Sequence, residues 1–421
     1  MSPRARRRTE AKTNGSASSS GPGTAGKATV TRWSRRFVAV GVAFFVAYQL
    51  SVFAGLGRDS AVALGLYGFV FHVMFGKAYS LIPSYFARQL AVPLAPAAHL
   101  PFASVGAAGH FASAADLAPS SVGSLAALSW LAGCLVFLGA IGLTIRGDPT
   151  GRETGTGSVD EHRRRVDRAA NAAVPVVLAY LLVGSSLPAP SAVGLELGPL
   201  FLPTVGPPVT HLLAAGTAAL LVFAIGFRLL PRLLVADPSP ILVAIVLPAG
   251  AVAPALLAVD FLGGTLFRVG AALQAIAVVG FAVTVVGLAR ESDRRRVGHR
   301  AVVVAAGFGI AAVALGLTFA FVGVEPGLLE AHVRLALLGF LGLTIVGVSY
   351  QFYPPAIASV RGIGNRSATA AVVAIVLGLA VEAVGLGIGS GALATVGAGA
   401  GVVGAALYAA TIWAVFLERP V

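Results

Sequence analysis

Apolar residues run along this chain in long blocks, broken by short stretches rich in arginine, glycine and proline. A block crosses a hydrocarbon core of ~30 Å when it holds about 20 helical residues. Twelve blocks are of this kind: 37–56, 60–83, 93–115, 121–145, 169–188, 206–230, 238–259, 264–289, 301–323, 329–353, 368–388 and 391–416. The pattern predicts an all-α fold, a polytopic integral membrane helical bundle of about twelve transmembrane helices in a lipid bilayer. The third block is the least regular, since it carries Pro93, Pro96, Pro101, His99 and His110. A broken or re-entrant segment stands as the alternative there, because irregular backbone survives at membrane depth only when shielded by protein. Residues 1–36 are basic, Ser/Gly-rich and poor in bulky apolar side chains, and are expected to be a disordered cytoplasmic tail. The transmembrane domain then covers 37–416, with 417–421 a short cytoplasmic end.

The charges test this arrangement. Connections that follow even-numbered spans hold Arg88; Arg146, Arg152, Arg163, Arg164, Arg165 and Arg168; Arg232; Arg290, Arg294, Arg295, Arg296 and Arg300; and Arg361 with Arg366. The connections on the other side hold Arg58 and essentially no other Lys or Arg. Cytoplasmic loops carry the excess of Lys and Arg. The segregation therefore predicts a cell-membrane protein with both termini cytoplasmic, and one missed span would scramble it.

Composition narrows the class further. Hydrophobic residues make up 57% of the 421 and charged residues 11%, where a soluble domain carries roughly a quarter charged. The formal charge of +13 sits at the ends of apolar blocks, not on one face, so it marks membrane topology and not nucleic-acid binding. Cys134, the single cysteine, has no partner for an internal disulfide. There is no P-loop, no H-E-x-x-H, no C-x-x-C and no G-x-S-x-G on a strand-to-helix turn, so ATPase, metalloprotease and hydrolase chemistry have no support and no catalytic residue is assigned.

A short motif recurs. Span 2 ends in Gly76, Tyr79 and Pro83, and span 10 in Gly347, Tyr350 and Pro354, both reading G-x-x-Y-x-x-x-P. Span 6 ends in a looser version, from Gly226 to Pro231. Proline is a common stop signal at helix ends. The four-span interval also fits an ancestral four-helix unit repeated three times.

Ionisable side chains inside spans are costly and mark candidate sites. His211 and His332 fall in the first turns of spans 6 and 10, and His110 near the same end of span 3. Arg268, Arg334 and Glu382 lie somewhat deeper from that face. Three imidazoles at one depth are a candidate site for copper, zinc or another transition metal. Interfacial histidines reaching for water, with Glu382 paired to Arg268 or Arg334, are the plainer alternative. His72 stands apart near the middle of span 2, among Phe69, Phe71 and Phe75, where its partner is a haem iron, a metal or a hydrogen bond to a neighbouring helix.

Twelve spans, a threefold repeat of four, a histidine in span 2 and another opening span 10 together resemble the catalytic subunit of the haem–copper oxidase superfamily and the related NnrS-like membrane proteins. The run Ala331, His332, Val333, Arg334, followed by Gly339, Gly347, Tyr350 and Pro354, looks like that family's H-x-H helix. The resemblance implies haem ligation by His72 and His332. It departs from the family in Arg334, which replaces the second histidine of the pair, and in span 7, which has none. A complete oxygen-reducing haem–copper site is therefore not expected. One haem or copper ion is, with a role in electron transfer, metal handling or nitric-oxide response, working with a redox partner or further membrane subunits. Two other readings stand beside it. One is a secondary transporter or channel coupled through Glu382 with Arg268 or Arg334. The other is a cofactor-free membrane scaffold or assembly factor.

Overall fold

The computed structural model describes residues 22–195, 203–294 and 296–418. Among these there are twelve helices of span length and no strand. They are α1 (Pro22–Phe53), α2 (Arg58–Tyr85), α3 (Ala95–Ala114), α4 (Ser120–Ile145), α5 (Arg164–Ser186), α6 (Pro207–Leu234), α7 (Pro240–Val259), α8 (Thr265–Glu291), α9 (Val297–Phe321), α10 (Pro326–Phe352), α11 (Asn365–Gly387) and α12 (Gly391–Glu418). Each matches one expected span, and eleven are long and apolar enough to cross a bilayer. The exception is α3, whose two histidines and three internal polar or proline positions dilute it, yet it runs as one continuous helix with Pro96 in its first turn and Pro101 inside.

The helix at the start of the chain reaches further back than the expected tail boundary. It begins at Pro22, so 22–36 is helical, and residues 1–21 lie outside the described residues. Val30 and Ser34 explain the extension, because both turn inward and are buried against the bundle. Arg36 lies over the Trp33 ring at 4.2 Å on the other side of that turn.

Three helices form the centre. In α2, α6 and α10, 78%, 72% and 78% of the most apolar stretch is buried, against 28–50% in the other eight candidate spans. The same three helices, and no others among the described residues, open into an eight-residue π-helical run: Ala63–Val70, Leu212–Ala219 and Leu335–Gly342. Such runs widen a helix locally and are frequent at functional sites. The closest antiparallel pairs are α3 with α4, α7 with α8 and α11 with α12. Both features recur every four helices, as the G-x-x-Y-x-x-x-P spacing predicts.

Glycine makes the tight pairs tight. A Cβ on Gly378 of α11 would stand 2.7 Å from the Gly397 carbonyl oxygen of α12, so the two backbones touch directly. Small residues allow that approach, and dispersion then holds helices together where lipid gives no hydrophobic drive.

Candidate metal centre

Between α2, α6, α8, α9 and α10, at the end away from the arginine-rich loops, the bundle forms a half-open cavity of about 300 Å³. That is the lower end of the range for small-molecule pockets, ~300–1,000 Å³. Its wall is apolar, with Leu66, Ala215, Val278, Ala312, Phe319 and Phe340 contributing. Arg58 and Asp59 line its rim, and Arg58 reaches Glu330 at 2.9 Å. Polar groups inside the wall include His211, His332 and Gln274.

The two imidazoles face the cavity just before the π-helical runs of α6 and α10. Their ring centroids are 6.4 Å apart and their planes differ by 16°. His211 Nδ1 donates to the Pro207 carbonyl at 2.8 Å, and His332 Nδ1 to the Ala312 carbonyl at 2.9 Å. A carbonyl oxygen only accepts, so each ring carries its proton on Nδ1 and keeps a lone pair on Nε2. Phe261 packs on His211 at 5.1 Å and Phe319 edge-on to His332 at 5.6 Å, which fixes both rings. Gln274 Oε1 is buried there without a hydrogen-bond partner.

Anchoring one ring nitrogen to a carbonyl is how proteins orient a histidine that ligates through the other. An imidazole nitrogen binds a transition metal at about 2.0–2.1 Å and lies roughly 1 Å from its ring centre, so two rings on one ion have centroids about 6 Å apart when the nitrogens are opposed and about 5 Å apart at a tetrahedral angle. The observed 6.4 Å between the His211 and His332 rings is on the scale of the opposed arrangement.

The other residues singled out by sequence sit elsewhere. His110 packs on Tyr67 at 5.0 Å and does not line the cavity. Among the described residues no group of three or more His, Cys, Asp and Glu is placed to hold a metal ion, so the three-histidine set of His110, His211 and His332 is not assembled. His72 and His332 are not brought together either. His72 is fully buried against Phe37 and Phe44 of α1, donates from Nδ1 to the Tyr67 carbonyl at 3.0 Å and accepts at Nε2 from the Ser104 hydroxyl at 3.1 Å. Both of its nitrogens are in use, the hydrogen-bonded alternative of the sequence reading. Arg334 lies 3.0 Å from Glu382 and 3.5 Å from the Tyr48 hydroxyl, while Arg268 bonds the Ala320 carbonyl at 3.3 Å.

One cluster carried no motif. At the arginine-rich end, Asp167 of α5 is fully buried between Arg228, at 3.3 Å, and Arg232, at 2.7 Å. Arg228 also donates to the Tyr85 and Thr154 carbonyls and to Asn171, tying the loop before α5 to the ends of α2 and α6. In that loop, Arg163 beside Asp237, 2.6 Å away, holds the Asp237 carboxyl below its ordinary range. The available signal was Asp167, two residues before the expected span 5, together with Arg228, an arginine inside the expected span 6.

These features define a multi-pass α-helical membrane protein with a bis-imidazole cavity between its central helices. No family model matches the chain, and a search of curated proteins finds no match.

Proposed function

We propose that this protein holds one transition-metal centre, a copper ion or a haem iron, between Nε2 of His211 and Nε2 of His332, and serves electron transfer or metal handling in the cell membrane. The observation that carries the reading is the pair of rings, each locked by its Nδ1 to a backbone carbonyl, with their centroids 6.4 Å apart beside a largely apolar cavity. Imidazole suits copper and iron alike. A bare ion needs no more space than the cavity already has, whereas a haem needs its macrocycle admitted between α6 and α10; copper therefore fits the geometry with less rearrangement. A bound centre supplies one-electron redox chemistry. The chain's own contribution is to present two preset lone pairs, to hold both rings against Phe261 and Phe319, and to surround them with a largely apolar wall.

The reading keeps the resemblance to the oxidase catalytic subunit but moves the ligand pair from His72 and His332 to His211 and His332. It places the arginine-rich loops, and with them both termini, in the cytoplasm, and the metal in the opposite leaflet, reachable by a redox partner outside. A transporter coupled through Arg334 and Glu382 has less support, since those two side chains are closed on each other and neither lines the cavity.

Purified protein from copper- and haem-replete cells should carry close to one metal equivalent per chain, by elemental analysis and optical spectrum. His211→Ala and His332→Ala should each lower that occupancy at least tenfold, and His72→Ala and His110→Ala should leave it within twofold in protein that stays folded. A Soret band selects haem, and copper without one selects the bare ion. Colourless, metal-free wild-type protein would falsify the reading.

A further inference from the structure

A second, smaller cavity of about 80 Å³ lies between α2, α6 and α10 in the half of the bundle nearer the arginine-rich face. Phe281 lines it, Phe340 lines the larger cavity, and these rings with Phe223 form a layer, at centroid separations of 5.0–6.5 Å, that parts the two. The small cavity opens toward the helix ends. Lys77 and Leu81 on α2, Ile225 and Leu229 on α6, and Val348 and Phe352 on α10 all line it and are half-exposed. Each pair is spaced i, i+4, so each helix turns one continuous stripe into the opening. On α2 and α10 the stripes start at the same place in the repeat, one residue after the motif glycines Gly76 and Gly347.

Among the residues lining this cleft only Lys77 is charged. Its ammonium donates to the Tyr353 hydroxyl at 2.6 Å and lies 4.1 Å over the Phe352 and Tyr353 rings. No carboxylate pairs with it among the described residues, and the charge closest in influence, Arg35, has the same sign. A lysine that merely reached for water would need neither an aromatic cradle nor an apolar cleft behind it. The surroundings instead offer a positive head site at the mouth and a slim apolar slot leading inward to Phe281.

We propose that this cleft binds a free acyl carboxylate, a short- to medium-chain fatty acid, with its carboxylate on Lys77 and its chain in the slot between α2, α6 and α10. Charge complementarity selects the anion, and the size of the slot selects a single chain over a two-chain phospholipid. The site is independent of the metal centre and lies on the other side of the phenylalanine layer.

The test titrates octanoate into the full-length protein in phosphatidylcholine nanodiscs by calorimetry, with empty nanodiscs subtracted. Saturable binding at one site per chain is expected. Lys77→Met should weaken it on the order of tenfold or more, the scale of a lost charge-assisted hydrogen bond. Lys77→Arg should stay within a few-fold, and octanol should bind at least tenfold more weakly than octanoate. No saturable binding to the wild-type protein overturns the proposal, and this result alone decides if Lys77→Met fails to fold. Binding to folded Lys77→Met within twofold of wild type overturns it too. Loss of octanoate binding when phosphatidylglycerol is added to the nanodisc assigns the cleft to phospholipid and overturns the free-acid proposal.

Discussion

Arg334 and Glu382 meet 3.0 Å apart with only 8% and 5% of their side chains exposed, in helices rich in leucine, valine, alanine and glycine. Two buried opposite charges repay their desolvation only while both are present, and removing one partner costs about 3–5 kcal/mol. Glu382→Ala should therefore lower stability in detergent by an amount of that order, read from thermal unfolding. The double change Arg334→Met with Glu382→Leu should recover most of the loss. Glu382 and Arg334 were legible from the chain alone because charge inside an apolar block is rare, and their pairing was one of two options at that depth. The histidines were only half legible. Residue counting gives depth along a helix, and it put His110, His211 and His332 at one level. Direction around the helix axis is what it cannot give, and that direction sends His211 and His332 into one cavity and His110 onto Tyr67.

At the scale of elements, packing rests on backbone contact. A side chain on Gly378 has no room, since its Cβ direction meets the backbone of α12 at 2.7–2.9 Å, whereas Gly307 on α9 faces open space. Gly378→Leu should destabilise the bundle by at least the ~1–3 kcal/mol typical of overpacking, and Gly307→Leu should leave its melting temperature unchanged. Equal melting temperatures for the two variants would contradict the account of the α11–α12 pair. Helix positions were legible because twenty apolar residues have one good solution in lipid. The π-helical runs were not. Ala63–Val70 and Leu335–Gly342 read as ordinary apolar helix, and one extra residue per turn leaves no mark in composition. The Asp167 network escaped for a different reason, because its residues sit at helix ends where charged side chains are commonplace.

For the whole molecule, three four-helix units place α2, α6 and α10 at the centre, each with a widened turn and each buried on nearly all sides. That arrangement gathers the first turns of α6 and α10 around one cavity and the last turns of all three around another, with Phe223, Phe281 and Phe340 between them. The repeat was visible in the chain as a glycine, a tyrosine and a proline at fixed spacing. What that spacing could not show is that the repeat has diverged chemically: aligned on Gly76 and Gly347, the position of His332 in α10 is Ala61 in α2, and that of Lys77 in α2 is Val348 in α10. The central claim is that His211 and His332 share a metal, and X-ray absorption at the metal edge of the purified protein tests it most directly. The account predicts nitrogen scatterers at about 2.0 Å with the outer-shell signature of two imidazoles, reduced in His211→Ala and His332→Ala alike. A bound metal whose first shell keeps both imidazoles when either histidine is removed, or that is surrounded by oxygen or sulfur alone, would contradict it.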